Sequence, residues 1–131
     1  MQIQGQLHLL VPPARVYDTW MNATQHSLMS EGVAVIDPNV GGAYSLWGGS
    51  VSGQFVFLRR PDRIVFTWRT EDFGFGDDDS RVELRLDTSP KGTLFRVTHD
   101  LIPHALMEPF RFGWEKHYFP KLRAFLQPTV H

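Results

Sequence analysis

Arg81-Val82-Glu83-Leu84-Arg85-Leu86-Asp87 is the stretch that decides the fold. Charged and apolar side chains alternate along it without a slip. A period of two marks a strand with one buried face and one wet face. The same pattern recurs on both sides, with Ile64, Phe66 and Trp68 before it and Phe95, Val97 and His99 after it. Working outward, strand-like runs cover 4–11, 33–36, 43–47, 51–58, 63–69, 80–87 and 93–101. Between them lie breaks at Pro38-Asn39, Gly41-Gly42, Gly48-Gly49, Pro61-Asp62, 71–79 and Ser89-Pro90-Lys91-Gly92. Connections this short select antiparallel hairpins, because a parallel neighbour needs a crossover of about a dozen residues. One apolar face per strand selects a single sheet with one covered face, not a sandwich.

The remaining segments read as helices. Pro12-Pro13 ends the first strand, and Pro13 suits the first helical position, where a missing N–H costs nothing. Val16, Tyr17 and Trp20 then recur at helical spacing and predict a short amphipathic helix. Asn22 or Thr24 can cap a second short helix carrying Leu28 and Met29, with Gly32 closing it. The cover for the sheet is 110–126, where Phe110, Trp114, Tyr118, Leu122 and Phe125 or Leu126 fall at i, i+4 spacing. Pro120 lies inside this run and removes one backbone bond. The spacing therefore predicts a long helix kinked near 116–120, or two helices meeting there.

At 131 residues the chain fits a single domain over 1–131. Apolar residues make up 42% and charged residues 21%, a globular balance. Thirteen basic against fourteen acidic side chains leave a net charge of −1, so no basic field is present to hold a nucleic acid. The absence of cysteine removes disulfides, thiolate zinc sites and a cysteine nucleophile. The first residues lack the basic and apolar regions of a signal peptide, and no apolar run approaches the roughly 18 residues of a membrane span. A cytoplasmic location without membrane attachment is the expectation. The unusual figure is the aromatic content, 13%, with ten Phe and four Trp.

The order strand, two short helices, six strands, long helix carries a resemblance. Pro12-Pro13-Ala14-Arg15-Val16-Tyr17-Asp18-Thr19-Trp20 follows the first strand, and Gly41-Gly42-Ala43-Tyr44 opens a hairpin. Gly53 precedes Pro61-Asp62-Arg63-Ile64-Val65-Phe66-Thr67-Trp68, Gly92-Thr93 leads to Val97-Thr98-His99, and Gly113-Trp114 begins the closing helix. This set resembles the START-related, birch-pollen-allergen-like (SRPBCC) superfamily. Within it, the likeness is nearest to the family of the activator of heat-shock protein 90 ATPase, C-terminal domain type. The chain departs from many relatives in carrying Leu28-Met29 in place of a tryptophan pair, and in having Pro120 in the closing helix. The resemblance implies an α+β helix-grip fold: a seven-stranded curved antiparallel sheet wrapped around a long C-terminal helix, with two short helices after the first strand.

A sheet that grips one helix encloses space, and the resemblance implies a ligand cavity there. Its expected wall is Trp47, Phe66, Trp68, Val82, Leu84, Phe95, Val97, His99, Phe110, Trp114 and Tyr118. The same residues could instead close-pack. His99 follows the inward alternation and, with Tyr118, is the expected polar handle for a guest; a satisfied wall histidine is favoured over a catalytic base. His99, His104 and His117 do not form the i, i+4 pair with an intervening Glu that zinc chemistry uses, so no metal or other cofactor is expected. In the loop 71–79 the consecutive Asp77-Asp78-Asp79 do not alternate as calcium ligands do. Phe73 and Phe75, costly to leave in water, are expected to fold against the body, over the pocket mouth or into a partner, and a gate over the pocket is the hypothesis they carry. Gly49-Ser50-Val51-Ser52-Gly53 lacks the central serine of a nucleophile elbow. The function expected is binding of a small hydrophobic or aromatic molecule. A chaperone-associated interaction module is the first alternative. An enzyme resembling cyclases or hydrolases, shuffling protons with His99, Tyr118 or Glu115, is the minority reading.

Overall fold

The computed structural model describes residues 1–127. In chain order they form β1 (Ile3–Leu9), α1 (Pro13–Met21), α2 (Ala23–Ser30), β2 (Val35–Ile36), β3 (Ala43–Leu46), β4 (Val51–Arg59), β5 (Arg63–Thr70), β6 (Ser80–Ser89) and β7 (Gly92–Asp100). The closing helix follows as α3 (Met107–Phe112), a π-helical turn (Gly113–Tyr118) and α4 (Phe119–Leu126). The strands make one seven-stranded sheet in the order β1-β7-β6-β5-β4-β3-β2, every neighbouring pair antiparallel. Leu84, at the centre of the deciding stretch, pairs with Ile64 on one side and Val97 on the other, and all three are fully buried. The sheet curls around the closing helix, the helix-grip arrangement. Residues 128–131, the end of the expected single domain, lie outside the described residues.

Local chemistry explains the helices. Pro12 is extended and Pro13 opens α1, whose Val16, Tyr17 and Trp20 turn inward. The Asn22 side chain accepts from the Gln25 N–H at 3.0 Å, so Asn22 rather than Thr24 caps α2. At the other end Glu31, not Gly32, takes the left-handed cap position, at φ 59°. Gly32 serves a different purpose. The Trp47 indole lies so close that any Cβ there would overlap the ring.

Helical structure runs without a break from Met107 through Pro120 to Leu126, passing from α to π at Gly113 and back to α at Phe119, just before Pro120. The helix begins at Met107, earlier than expected, and stays right-handed through 112–119. The Phe119 N–H reaches back five residues to the Trp114 carbonyl, and Pro120 sits in the first turn of α4, where an N–H is dispensable. Widening one turn absorbs the missing donor. Strand limits shift too, notably at β1, which ends at Leu9, and at β6, which runs on to Ser89. β2 is only Val35–Ile36, and β3 stops at Leu46, leaving Trp47 in a short 3-10 turn at φ 48°.

Candidate functional site

A cavity of about 570 Å³ lies between β4, β5 and β7 of the sheet, the Trp47 turn and the end of α2, and the α3, π-turn and α4 part of the closing helix. Its floor is buried: Ser30, Val51, Trp68, His99, Trp114 and Tyr118. Its rim is wetter, with Glu31, Ser50, Pro109 and His117 exposed and Trp47, Phe110 and Lys121 half-buried. Lys121 donates to Glu31 across the rim at 2.7 Å.

Six of the residues expected on the wall are there: Trp47, Trp68, His99, Phe110, Trp114 and Tyr118. Trp47 arrives by a route that strand parity does not describe. The turn swings its indole over Gly32, where the N–H donates to the Ser30 carbonyl at 3.2 Å. Phe66, Val82, Leu84, Phe95 and Val97 are not on the wall; each is at most 1% exposed in solid packing. Trp20 touches both sides, and Phe66 also meets Trp68 directly, with centroids 6.3 Å apart. The Trp20 ring centroid lies 5.9 Å from Phe66 and 6.4 Å from Phe95 on the filled side. On the hollow side it lies 6.2 Å from Trp114 and 4.9 Å from Tyr118.

The polar atoms of His99, Trp114 and Tyr118 on the floor are all engaged within the protein. The Trp114 indole N–H donates to His99 Nδ1 at 3.1 Å, which requires a lone pair there and puts the imidazole proton on Nε2. That proton faces Ser80 Oγ at 2.8 Å, and the Ser80 hydroxyl donates to the Trp68 carbonyl at 2.6 Å. Burial pushes the His99 pKa down to about 3, with Asp100 opposing weakly, so the ring is neutral at pH 7. Phe110 stacks on it with centroids 5.2 Å apart. His99 therefore presents ring surface to the cavity rather than a free nitrogen, unlike the expected handle. Tyr118 is engaged too. Its hydroxyl meets His26 Nε2 at 2.9 Å, while His26 Nδ1 faces the Trp20 carbonyl at 2.8 Å. His26 thus carries its proton on Nδ1 and accepts from Tyr118. Burial lowers its pKa to about 4 and raises that of Tyr118 well above the phenol value. Glu115 is exposed and not on the wall.

Sequence reading missed His26 and Ser80. His26, Met29 and Ser30 share one helical face, and Ser80 shares the parity of Val82 and Leu84. Polar members of a buried face carry no hydropathy signal, although their spacing was visible. Among the described residues, no group of three or more His, Asp or Glu side chains converges as a metal site would require.

The loop between β5 and β6 is braced by Arg69. Its guanidinium donates to the Asp77 carbonyl, the Gly74 carbonyl and the Asp79 carboxylate at 2.8 to 3.0 Å, and lies 5.3 Å from the Phe73 ring. Phe73 is buried and stacks on Phe110 at 6.0 Å, one layer behind the cavity rim. Phe75 is fully exposed. Of the two expected gate residues, the structure brings only Phe73 to the site.

A curled antiparallel sheet, two short helices after the first strand and a long terminal helix over a cavity define an SRPBCC helix-grip protein. Residues 10–127 match the family described as Activator of Hsp90 ATPase homolog 1-like protein, and the chain belongs to that family. It is 26% identical over 101 residues to the mouse activator of 90 kDa heat shock protein ATPase homolog 2, covering 77% of this chain and 30% of that protein. With a Dictyostelium discoideum homologue of the activator the identity is 24%, covering 85% of this chain and 29% of the relative. The chain thus spans about three tenths of the length of these curated relatives. Among solved structures, an HSP90 activator from Plasmodium falciparum superposes with a TM-score of 0.88 at 26% identity, covering 96% of each chain. A protein from Chromobacterium violaceum gives 0.82 at 26% identity, with 98% and 99% covered. No helix among the described residues is long and apolar enough to cross a membrane.

Proposed function

We propose that this chain is a cytoplasmic protein that encloses a small hydrophobic or aromatic molecule between the sheet and the closing helix. The observation that carries this reading is the hollow itself: about 570 Å³ with a floor of buried aromatic rings. Pockets that bury most of a drug-sized molecule are of this size and character. Affinity would come from apolar area removed from water, at ~25 cal/mol per Å², less the cost of immobilising the guest. Trp47, Trp68, His99, Phe110, Trp114 and Tyr118 contribute surface, and Phe73 controls the rim through its stack on Phe110.

Gly113 provides the test. It lines the cavity in helical conformation, and a Cβ built there meets nothing within 4 Å. Gly113→Phe should occupy the hollow while the helix gains propensity. Titration with N-phenyl-1-naphthylamine, a neutral dye, should show saturable binding to the wild type and at least tenfold weaker binding to the variant, with an unchanged or higher Tm. Equal binding by the two proteins overturns the reading.

The likeness to an HSP90 activator of the same span favours a second reading, contact with a chaperone of that class. Added protein should then raise the chaperone's ATP turnover. If Gly113→Phe does so equally well, the two roles are separate.

A further inference from the structure

The cavity is aromatic in its depth and carries its charged residues, Glu31 and Lys121, at its mouth. Gly113, His117 and Lys121 fall four residues apart along the closing helix, and all three line it. Gly113 leaves space, while His117 and Lys121 bring nitrogen. Facing them is one carboxylate, Glu31, in the left-handed position that ends α2. Glu31, His117 and Lys121 also border a second hollow of about 530 Å³, which reaches Leu28 and Lys116. The Glu31–Lys121 pair thus stands on the boundary between the two hollows.

The partners in that pair are not alike. The Glu31 side chain is 73% exposed and that of Lys121 only 25%. An exposed carboxylate returns to water at little cost, because a surface ion pair is weak. A lysine ammonium has three N–H donors, and Glu31 accepts from it at 2.7 Å. Among the described residues, neither Lys116 nor His117 has a carboxylate partner, and Glu115 borders neither hollow. Three basic side chains therefore meet one acid at the mouth. Deeper in, no counter-charge lines the wall, so an ionised group there would lose its water without compensation.

We infer that the molecule taken up by the cavity is an organic carboxylate, with its apolar or aromatic frame in the hollow and its charged end at the mouth, where Lys121 Nζ donates to it in competition with Glu31. This rests on the cavity-binding reading above. Glu31 holds the ammonium at the rim in the absence of a guest, and the guest offers the same chemical group in its place. No arginine lines the hollow, and a lone ammonium, a point charge without the guanidinium fork, suits one negative charge better than the two of a phosphate monoester. Lys121 would then be the specificity-determining residue of the site.

The test compares naphthalene-1-acetate with naphthalene-1-acetamide, which share frame and shape and differ in charge. Displacement of N-phenyl-1-naphthylamine reads both affinities, and the wild type should bind the acid more tightly. That preference should fall about three- to fivefold in Lys121→Met, which keeps the stem and removes the charge. It should rise about two- to threefold in Glu31→Gln, whose amide still accepts from Lys121 but no longer repels the guest. In the wild type, raising salt from about 20 mM to about 500 mM should weaken the acid severalfold and leave the amide unchanged, a measurement independent of how any variant folds. A preference that survives Lys121→Met, or salt acting equally on both compounds, overturns the inference and leaves cavity binding standing. Binding of the dye but of neither naphthalene does the same. If the dye does not bind either, the cavity reading itself falls, and this inference with it.

Discussion

Two volumes lie under one sheet, on opposite sides of Trp20. On one side Phe66, Val82, Leu84, Phe95 and Val97 are packed solid beneath α1, which lies against β6 and β7, with α4 against β1. On the other, Trp68, His99, Trp114 and Tyr118 are just as inward-facing, yet they border a hollow. Both sides carry large rings, Phe66 and Phe95 on the filled one, so the presence of rings does not by itself separate the two. A third layer does. Where α1 brings Trp20 against both sheet and helix rings, the space is filled; beyond it the closing helix, the end of α2 and the Trp47 turn border the hollow. Aromatic content on an inner face therefore says little about whether a cavity forms.

The largest test of this contrast is Trp20→Ala. Trp20 is 2% exposed and touches rings on both sides, so truncation should cost about 3–5 kcal/mol and merge the two volumes. Urea unfolding measures it, and a loss below about 1 kcal/mol would show that Trp20 is not the divider.

Acid should act next, and on the hollow side. His26 and His99 have folded pKa values of about 4 and about 3, below the roughly 6.5 of an unfolded histidine. A depressed histidine makes the unfolded chain bind more protons, so stability is full above pH ~6.5 and declines as pH falls toward 4 and then 3. From pH 7 to pH 5 the two rings together should cost on the order of 2–4 kcal/mol. NMR of the ring nitrogens should show both neutral at pH 5 with opposite tautomers, Nδ1–H for His26 and Nε2–H for His99. A charged ring in the folded state at that pH contradicts the network.

The smallest effects belong to the loop. Phe73→Ala removes the stack on Phe110 and should speed release of a bound dye severalfold in stopped flow. Phe75→Ala, at a fully exposed side chain, should leave both release rate and Tm unchanged. Equal effects would return both residues to a shared gating role.

Much of the architecture was legible because parity and helical spacing are local. Alternation at 80–87 set which side chains face inward, and the i, i+4 run from Phe110 identified the cover. The same rules failed where a residue's place depends on distant atoms. Trp47 lies on the wall because a left-handed turn lays it over Gly32, and Pro120 is tolerated because the turn before it widens. His26 escaped notice because its role exists only once Tyr118, 92 positions away, is beside it.

By itself, the amino-acid sequence determined the strand faces, the helical segments and the family, since each follows from short-range pattern or from motifs in order. Tertiary structure alone decided which inward rings meet and which stand apart, which nitrogen of each buried histidine keeps its proton, and that the Trp68 indole N–H has no partner among the described residues. Those outcomes depend on contacts between elements far apart in the chain, as where Trp20 of α1 meets Phe66 of the sheet and Trp114 of the closing helix.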